Sequence, residues 1–141
     1  MANIHTPASS VLAKHSFSVA ITAAATNGTG VSCRGFRHGM AVFYAAPSGS
    51  GTTSDCKVQE SSDDAATDPY ADVTSATFAQ ATTAGGAKIQ AMNINLAKRE
   101  RWLRLVHTGA GGSAAGQAYG LFLLFNAFFM EVSQDQTVVT V

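Results

Sequence analysis

Alternation of apolar and polar side chains, the period of a half-buried strand, dominates this chain. Phe17, Val19 and Ile21 are spaced by Ser18, Ala20 and Thr22, and Asn27-Gly28-Thr29-Gly30 then interrupts with strong turn residues. Residues 40–46 (MAVFYAA) are a second apolar run, bounded by Gly39 and by Pro47-Ser48-Gly49-Ser50-Gly51. The Ser/Gly-rich stretch through Ser54 reads as a mobile loop, because nothing in it can be buried. Cys56, Val58 and Glu60 alternate with Lys57 and Gln59 in a third strand that runs into the polar turn 61–68. Pro69 and Tyr70 open a short ordered segment towards Val73 and Phe78, and 82–86 is another turn. Residues 88–96 (KIQAMNINL) predict a fourth strand. Its apolar phase switches between Ile89 and Met92, as at a bulge or where both faces are buried. In 101–108 (RWLRLVHT) Leu103 and Leu105 take one face, and Trp102, Arg104 and Val106 the other. Residues 109–116 (GAGGSAAG) predict a hairpin loop, 118–130 (AYGLFLLFNAFFM) a central strand bending at Asn126, and 137–141 (TVVTV) a last strand or extended tail.

No stretch of three turns carries a clear helical period. Short strands separated by Gly/Ser/Asp turns predict an all-β, single-domain β-sandwich of jelly-roll type. Residues 1–16 are expected as an extended N-terminal arm and 17–141 as the sandwich, ending in a C-terminal tail. The arm contains Pro7, no acids and few large side chains, too little to fold alone. A spanning helix needs about 20 apolar residues, so the 118–130 run is a buried element and no membrane partner is expected. The run 17–25 follows Lys14 and His15 and ends in small residues, as a secretory signal does. It is short, interrupted by Ser18 and Thr22, and far from Met1, so it reads as a strand.

Charge changes the picture more by its placement than by its total. Nine Lys plus Arg balance nine Asp plus Glu, and 13% of residues are charged, against roughly 25% in an average globular protein. A neutral chain lacks the general phosphate attraction of nucleic-acid binders, so no direct nucleic-acid contact is expected. Residues 1–54 contain no acid; Asp55, Glu60, Asp63, Asp64, Asp68 and Asp72 then follow in close order, and Lys98, Arg99, Arg101 and Arg104 form a basic cluster. The acidic stretch lacks the alternating ligands of a calcium loop and reads as a turn whose Asp and Ser side chains cap backbone groups.

The search for catalytic chemistry returns nothing. Cys33 and Cys56 are 23 residues apart without a CxxC or His partner spacing, so no metal is expected, and the sequence leaves open whether they pair. His5, His15, His38 and His107 are scattered, and no serine sits in a G-x-S-x-G turn. Gly109, Gly111 and Ala114 match a dinucleotide fingerprint only formally, since a strand and not a helix follows. No cofactor and no enzymatic activity are expected. The aromatics Phe43, Tyr44, Trp102, Tyr119, Phe122, Phe125, Phe128 and Phe129 mostly fall within predicted strands as core residues, with one or two exposed at a subunit interface.

Two stretches carry a resemblance. Lys57-Val58-Gln59-Glu60-Ser61-Ser62-Asp63-Asp64, followed by Tyr70-Ala71-Asp72-Val73, resembles the strand-and-turn of small head-associated virion proteins of tailed bacteriophages. Residues 96–106 (LAKRERWLRLV) resemble the segment of those proteins where a K-R turn leads into an aromatic-x-R strand. The match covers residues 39–125; Ala65-Ala66-Thr67-Asp68 stands where a Gly-containing turn is usual, and the tail after Asn126 is longer. The resemblance implies a β-sandwich capsid decoration or cement subunit, a homotrimer on the virion surface, made in the host cytoplasm, that binds the major capsid protein. Partner-binding residues are expected in the arm (Ile4, His5, Pro7, Val11, Leu12), the basic cluster (Arg99, Arg101) and the tail (Val138, Val139, Val141). The alternatives are a receptor- or carbohydrate-binding sandwich of a tail or spike, which predicts an exposed aromatic platform, and a tail or neck structural subunit.

Overall fold

A computed structural model describes residues 11–127. Among them are ten strands: β1 (Val11–Ala20), β2 (Ala25–Asn27), β3 (Val31–Ser32), β4 (Phe36–Ser48), β5 (Thr53–Ser61), β6 (Ala71–Thr77), β7 (Ala81–Thr82), β8 (Lys88–Asn95), β9 (Trp102–Ala110) and β10 (Ala115–Ala127). Two antiparallel sheets result. The four-stranded sheet has the order β1-β10-β4-β8; the six-stranded sheet has β2-β9-β5-β6, with β3 also beside β9 and β7 beside β5. The fold is an all-β sandwich. Taken over the eight principal strands, the chain crosses between sheets at every connection except β5 to β6, and the orders are those of a jelly roll.

The core lies between the sheets and follows the period-2 rule. Phe17 and Ile21 of β1, Phe43 of β4, and Phe122 and Leu124 of β10 meet Cys56 and Val58 of β5 and Leu103 and Leu105 of β9. Phe43, Phe122, Leu103, Leu105 and Leu124 are completely buried, each contributing about 1.5–3 kcal/mol of transfer free energy.

Four expectations need correction. The stretch through Ser54 is not all loop: β4 runs to Ser48, β5 starts at Thr53, and Thr52 and Ser54 are fully buried. Residues 11–16 belong to β1 of the sandwich and are strand, not free arm. The register of β1 against β10 slips between His15 and Phe17, a bulge that lets both Leu12 and Phe17 point inward although they are five residues apart. The alternation downstream of Phe17 is therefore out of phase with the residues before it, and this concealed the strand. Residues 109–116 are not a hairpin loop: β9 and β10 belong to different sheets, and the segment crosses from one to the other. Gly116 is required at this crossing, with φ of 118° and Ala46 O only 2.1 Å from where a Cβ would stand. Finally, β8 contains no bulge. Its pairing with β4 is continuous from Lys88 to Asn95, Met92 and Ile94 turn inward, and Ile89 simply projects from the outer face of an edge strand.

Candidate functional site

The register assigns the outer face of the four-stranded sheet residue by residue. One row runs Ser18, Tyr119, Tyr44, Ile89 across β1, β10, β4 and β8. The next rows are His15, Leu121, Val42, Ala91, then Ala13, Leu123, Met40, Asn93, then Val11, Phe125, His38, Asn95. None of these sixteen positions holds Asp, Glu, Lys or Arg. Ile89 is 75% exposed and Tyr119 42%, and the Tyr44 and Tyr119 rings lie 5.8 Å apart at 35°. Leu121, Leu123, Phe125, Val42 and Met40 are half-buried. The central strand β10 is thus apolar on both faces, with Phe122 and Leu124 inside and Leu121, Leu123 and Phe125 outside. Strands of that kind are normally covered on both sides.

The six-stranded sheet has the opposite chemistry. All seven acids among the described residues lie on β5, on β6, in the turn between them or just before β9. Lys57 Nζ donates to Asp72 at 2.7 Å and Gln59 donates to the same carboxylate at 2.7 Å; both bonds hold Asp72 below the usual carboxylate range. Arg104 donates twice to Gln59 Oε1, at 2.9 and 2.7 Å, while its guanidinium lies 4.2 Å from the Tyr70 ring centroid.

The acidic turn caps itself, as its composition predicts. Asp63 accepts from the Thr67 hydroxyl at 2.6 Å and the Thr67 N–H at 2.7 Å, and the hydroxyl bond leads in holding its pKa low. Asp68 accepts from Ser62 N–H at 2.8 Å and is lowered in turn. Buried Ser61 donates to Asp68 O and accepts from Ala65 N–H. Asp64 and Ala65 both take positive φ, 61° and 65°, a conformation that favours glycine. Partial desolvation, then the nearby Asp68 and Glu60, push Glu100 upward.

The expected partner-binding residues divide three ways. Ile4, His5, Pro7, Val138, Val139 and Val141 lie outside the described residues. Val11 is half-buried at one corner of the uncharged face, but Leu12 is 4% exposed and belongs to the core, which removes it from any partner surface. Arg99 Nη1 donates to Glu60 Oε1 at 3.2 Å, so the acid it meets is on β5 of its own chain. Arg101 is exposed, 5.5 Å over the Trp102 ring, at the rim of a shallow cleft of about 410 Å³ floored by Cys33, Phe36 and Leu96. The structure does not bring the arginines to the uncharged face. What sequence reasoning passed over is that face itself; its signal was the unbroken apolar run from Leu121 to Phe125, which a strand with one wet side would not carry.

One polar pair lies inside the core. Ser54 Oγ and His107 Nε2 are 2.8 Å apart, His107 Nδ1 has no hydrogen-bond partner, and Phe17 and Phe43 pack on the ring. Burial lowers the His107 pKa, keeping the imidazole neutral. At 0% and 1% exposure the pair has no route to a substrate. Cys33 and Cys56 are free, buried thiols whose pKa burial pushes up to about 12. Among the described residues no group of His, Cys, Asp and Glu is placed to hold a metal ion, and no helix is long and apolar enough to cross a membrane. No protein-family model matches the chain, and no curated protein matches it significantly.

Proposed function

We propose that this chain is a non-enzymatic virion structural protein, a decoration or cement subunit that assembles with copies of itself, as a homotrimer, and stabilises a shell of major capsid protein. The observation that carries the reading is the charge-free outer face of the four-stranded sheet, an apolar surface suited to a protein neighbour and not to a substrate pocket. Jelly rolls serve capsid and lectin domains alike, so the fold accommodates the role without selecting it. The resemblance of 57–73 and 96–106 to head-associated virion proteins supplies the particular setting. Weak contacts repeated over several shell subunits give firm attachment through effective concentration. Co-sedimentation of the purified chain with expanded empty capsids tests the proposal: saturable binding and a raised thermal disruption temperature of the shell are expected. Absence of binding to such shells would overturn the capsid assignment.

A second reading rests on the Tyr44–Tyr119 pair, an exposed aromatic platform of the kind a carbohydrate-binding sandwich uses. A glycan array settles the choice, since sugar binding abolished by Tyr119→Ala would favour a tail or spike module. A hexameric mass would point instead to a tail or neck subunit.

A further inference from the structure

We infer that the outer face of the four-stranded sheet is where this chain packs against the same face of further copies of itself, leaving the charged six-stranded sheet turned outward. The inference rests on the reading of the chain as an assembling structural subunit and names the partner of its uncharged face; because a face that packs on itself pairs two copies, it makes the contact two-fold where that reading has a trimer. Three observations carry it.

The first is electrostatic. A face that meets its own copy brings every charge against an identical charge, and such juxtaposition is costly. The sixteen outward positions hold no acid and no Lys or Arg, whereas the opposite sheet carries Asp55, Lys57, Asp72 and Arg104. A surface selecting a foreign protein gains specificity and encounter rate from charge, and this one has given charge up.

The second is extent. Four strands about 4.8 Å apart and the seven residues of β10 from Tyr119 to Phe125 at about 3.3 Å each make a flat footprint on the order of 440 Å². Side-chain relief enlarges the accessible area above that value, towards the roughly 800 Å² per partner of a standard interface. The largest apolar patch of an ordinary monomer is about 300–600 Å², so this face is already of that size before its relief is counted.

The third is shape. The bulky side chains run along the two central strands as Tyr119, Leu121 and Leu123 beside Tyr44, Val42 and Met40. The flanking strands present Ala13, His15 and Ser18 on β1 and Ile89, Ala91 and Asn93 on β8 in the same rows. The apolar relief thus runs from the two central strands out to Ile89 on β8, and sheets packed face to face through such relief lie about 10 Å apart.

Light scattering after size exclusion tests this on the full chain. The wild type is expected at an even multiple of 14.6 kDa. Leu121→Lys places a charge in the middle of the face and should weaken self-association by about thirtyfold or more, as at an interface hot spot. Because Leu121 is half-buried, the double variant Ile89→Lys/Tyr119→Lys, at the two most exposed apolar positions, supplies a change the folded subunit tolerates. It should give 14.6 kDa with an unchanged far-ultraviolet spectrum. Lys57→Ala, on the opposite sheet, should leave the mass at the wild-type value. A monomeric wild type, including one whose face is covered by residues 128–141 of its own chain, overturns the inference, and so does an oligomer unmoved by the double variant. Capsid co-sedimentation run alongside separates the two claims: an oligomer that binds no shell sinks the virion role alone, and a monomer that binds shells sinks the self-packing alone.

Discussion

Ser16 stitches the two sheets together, and Ser16→Ala should show how much that stitch is worth. On the free side of β9, pairing with β2 stops at Val106 and pairing with β3 starts at Leu103, so Leu105 has no strand partner there. Its carbonyl accepts from Gly28 N–H at 2.8 Å and its N–H donates to Ser16 Oγ at 3.2 Å, across from the bulge in β1. Thr29 N–H closes the arrangement by donating to Ser16 O at 2.8 Å. The alanine variant leaves the Leu105 N–H unpaired at a residue with 0% exposure, which costs about 1–3 kcal/mol. The second bond of the hydroxyl, to Thr29 O at 3.4 Å, is too long to add much. A loss of about 2 kcal/mol is therefore expected. That corresponds to a fall in melting temperature of about 4–8 °C for a chain of this size. Urea unfolding followed by tryptophan fluorescence measures the free energy, and amide exchange locates it: the Leu105 amide should exchange faster than the global unfolding rate in the variant only. Ser18→Ala, at an exposed position two residues on, is the control and should stay within about 0.5 kcal/mol. If the two variants have equal stability and the Leu105 amide is unchanged, Ser16 does not hold the sheets and the bulge has another origin.

The neutral His107 ring predicts a stability slope with pH. Its folded pKa lies below the ordinary 6.5, so the unfolded chain takes up the proton first. The contribution is complete above 6.5 and is lost as pH falls below it, by up to about 1.4 kcal/mol per pH unit. The carboxylates of Asp63, Asp68 and Asp72, held low, lose theirs only at more acidic pH, below 3.8, and Glu100, held high, slopes the opposite way, so the histidine is read as the difference between the urea midpoints of wild type and His107→Leu; an equal slope in the two would refute the assignment. Gly120→Ala should cost about 1–3 kcal/mol by overpacking, since its Cβ would stand 2.6 Å from Phe17 Cε1 and 2.7 Å from Leu105 Cδ1; a neutral melting temperature would count against that close approach of β10 to the core. The two buried thiols should resist a thiol reagent at mildly alkaline pH and react together, two per chain, once urea unfolds the protein. Rapid labelling of folded protein would show that Cys33 or Cys56 is accessible.

Much of the sandwich is legible in the sequence because its strands keep period 2. Cys56 and Val58, then Leu103 and Leu105, alternate with polar residues, and the structure buries the apolar set. The same alternation carries His107 inward with Leu103 and Leu105, which is why a histidine occupies the core. Three features are hidden for physical reasons. A bulge shifts the phase by one residue, so β1 upstream of Phe17 does not continue the pattern downstream of it. β2, β3 and β7 have two or three residues each, too few to show any period, and exist only because β9 and β5 offer open edges. Sheet membership of β9 and β10 depends on long-range pairing, so a glycine-rich connection between two strands looks like a hairpin whichever way it turns. The outer face of β10 is legible in principle, since a run without alternation signals two covered faces; attributing most of its aromatics to one core obscured that.

The neutral total charge follows from how a jelly roll distributes sequence between its sheets. The uncharged sheet collects four strands from distant parts of the chain, residues 11–20, 36–48, 88–95 and 115–127, so no local rule of composition accounts for its chemistry. The acids cluster in sequence because β5 and β6 form the one connection between principal strands that stays within a sheet, and its long polar turn remains on the charged side. Arg99 and Arg104, 39 and 45 residues from their partners Glu60 and Gln59, are returned to the same side by β9. The acids of the described residues therefore gather on one sheet with Lys57, Arg99 and Arg104, while Lys14, Arg37 and Lys88 belong to strands of the other without entering its sixteen outward positions. Among the described residues β1 and β8 are the edge strands of the four-stranded sheet, and each carries one lysine, Lys14 and Lys88, the single charge that guards an edge against strand pairing. Their register sets them in the inward rows, opposite Phe122 and Ala45, while the outward positions of the same strands are Ala13, His15 and Ser18 on β1 and Ile89, Ala91 and Asn93 on β8. The edges keep their charges and the outer face has none, as self-packing of that face requires.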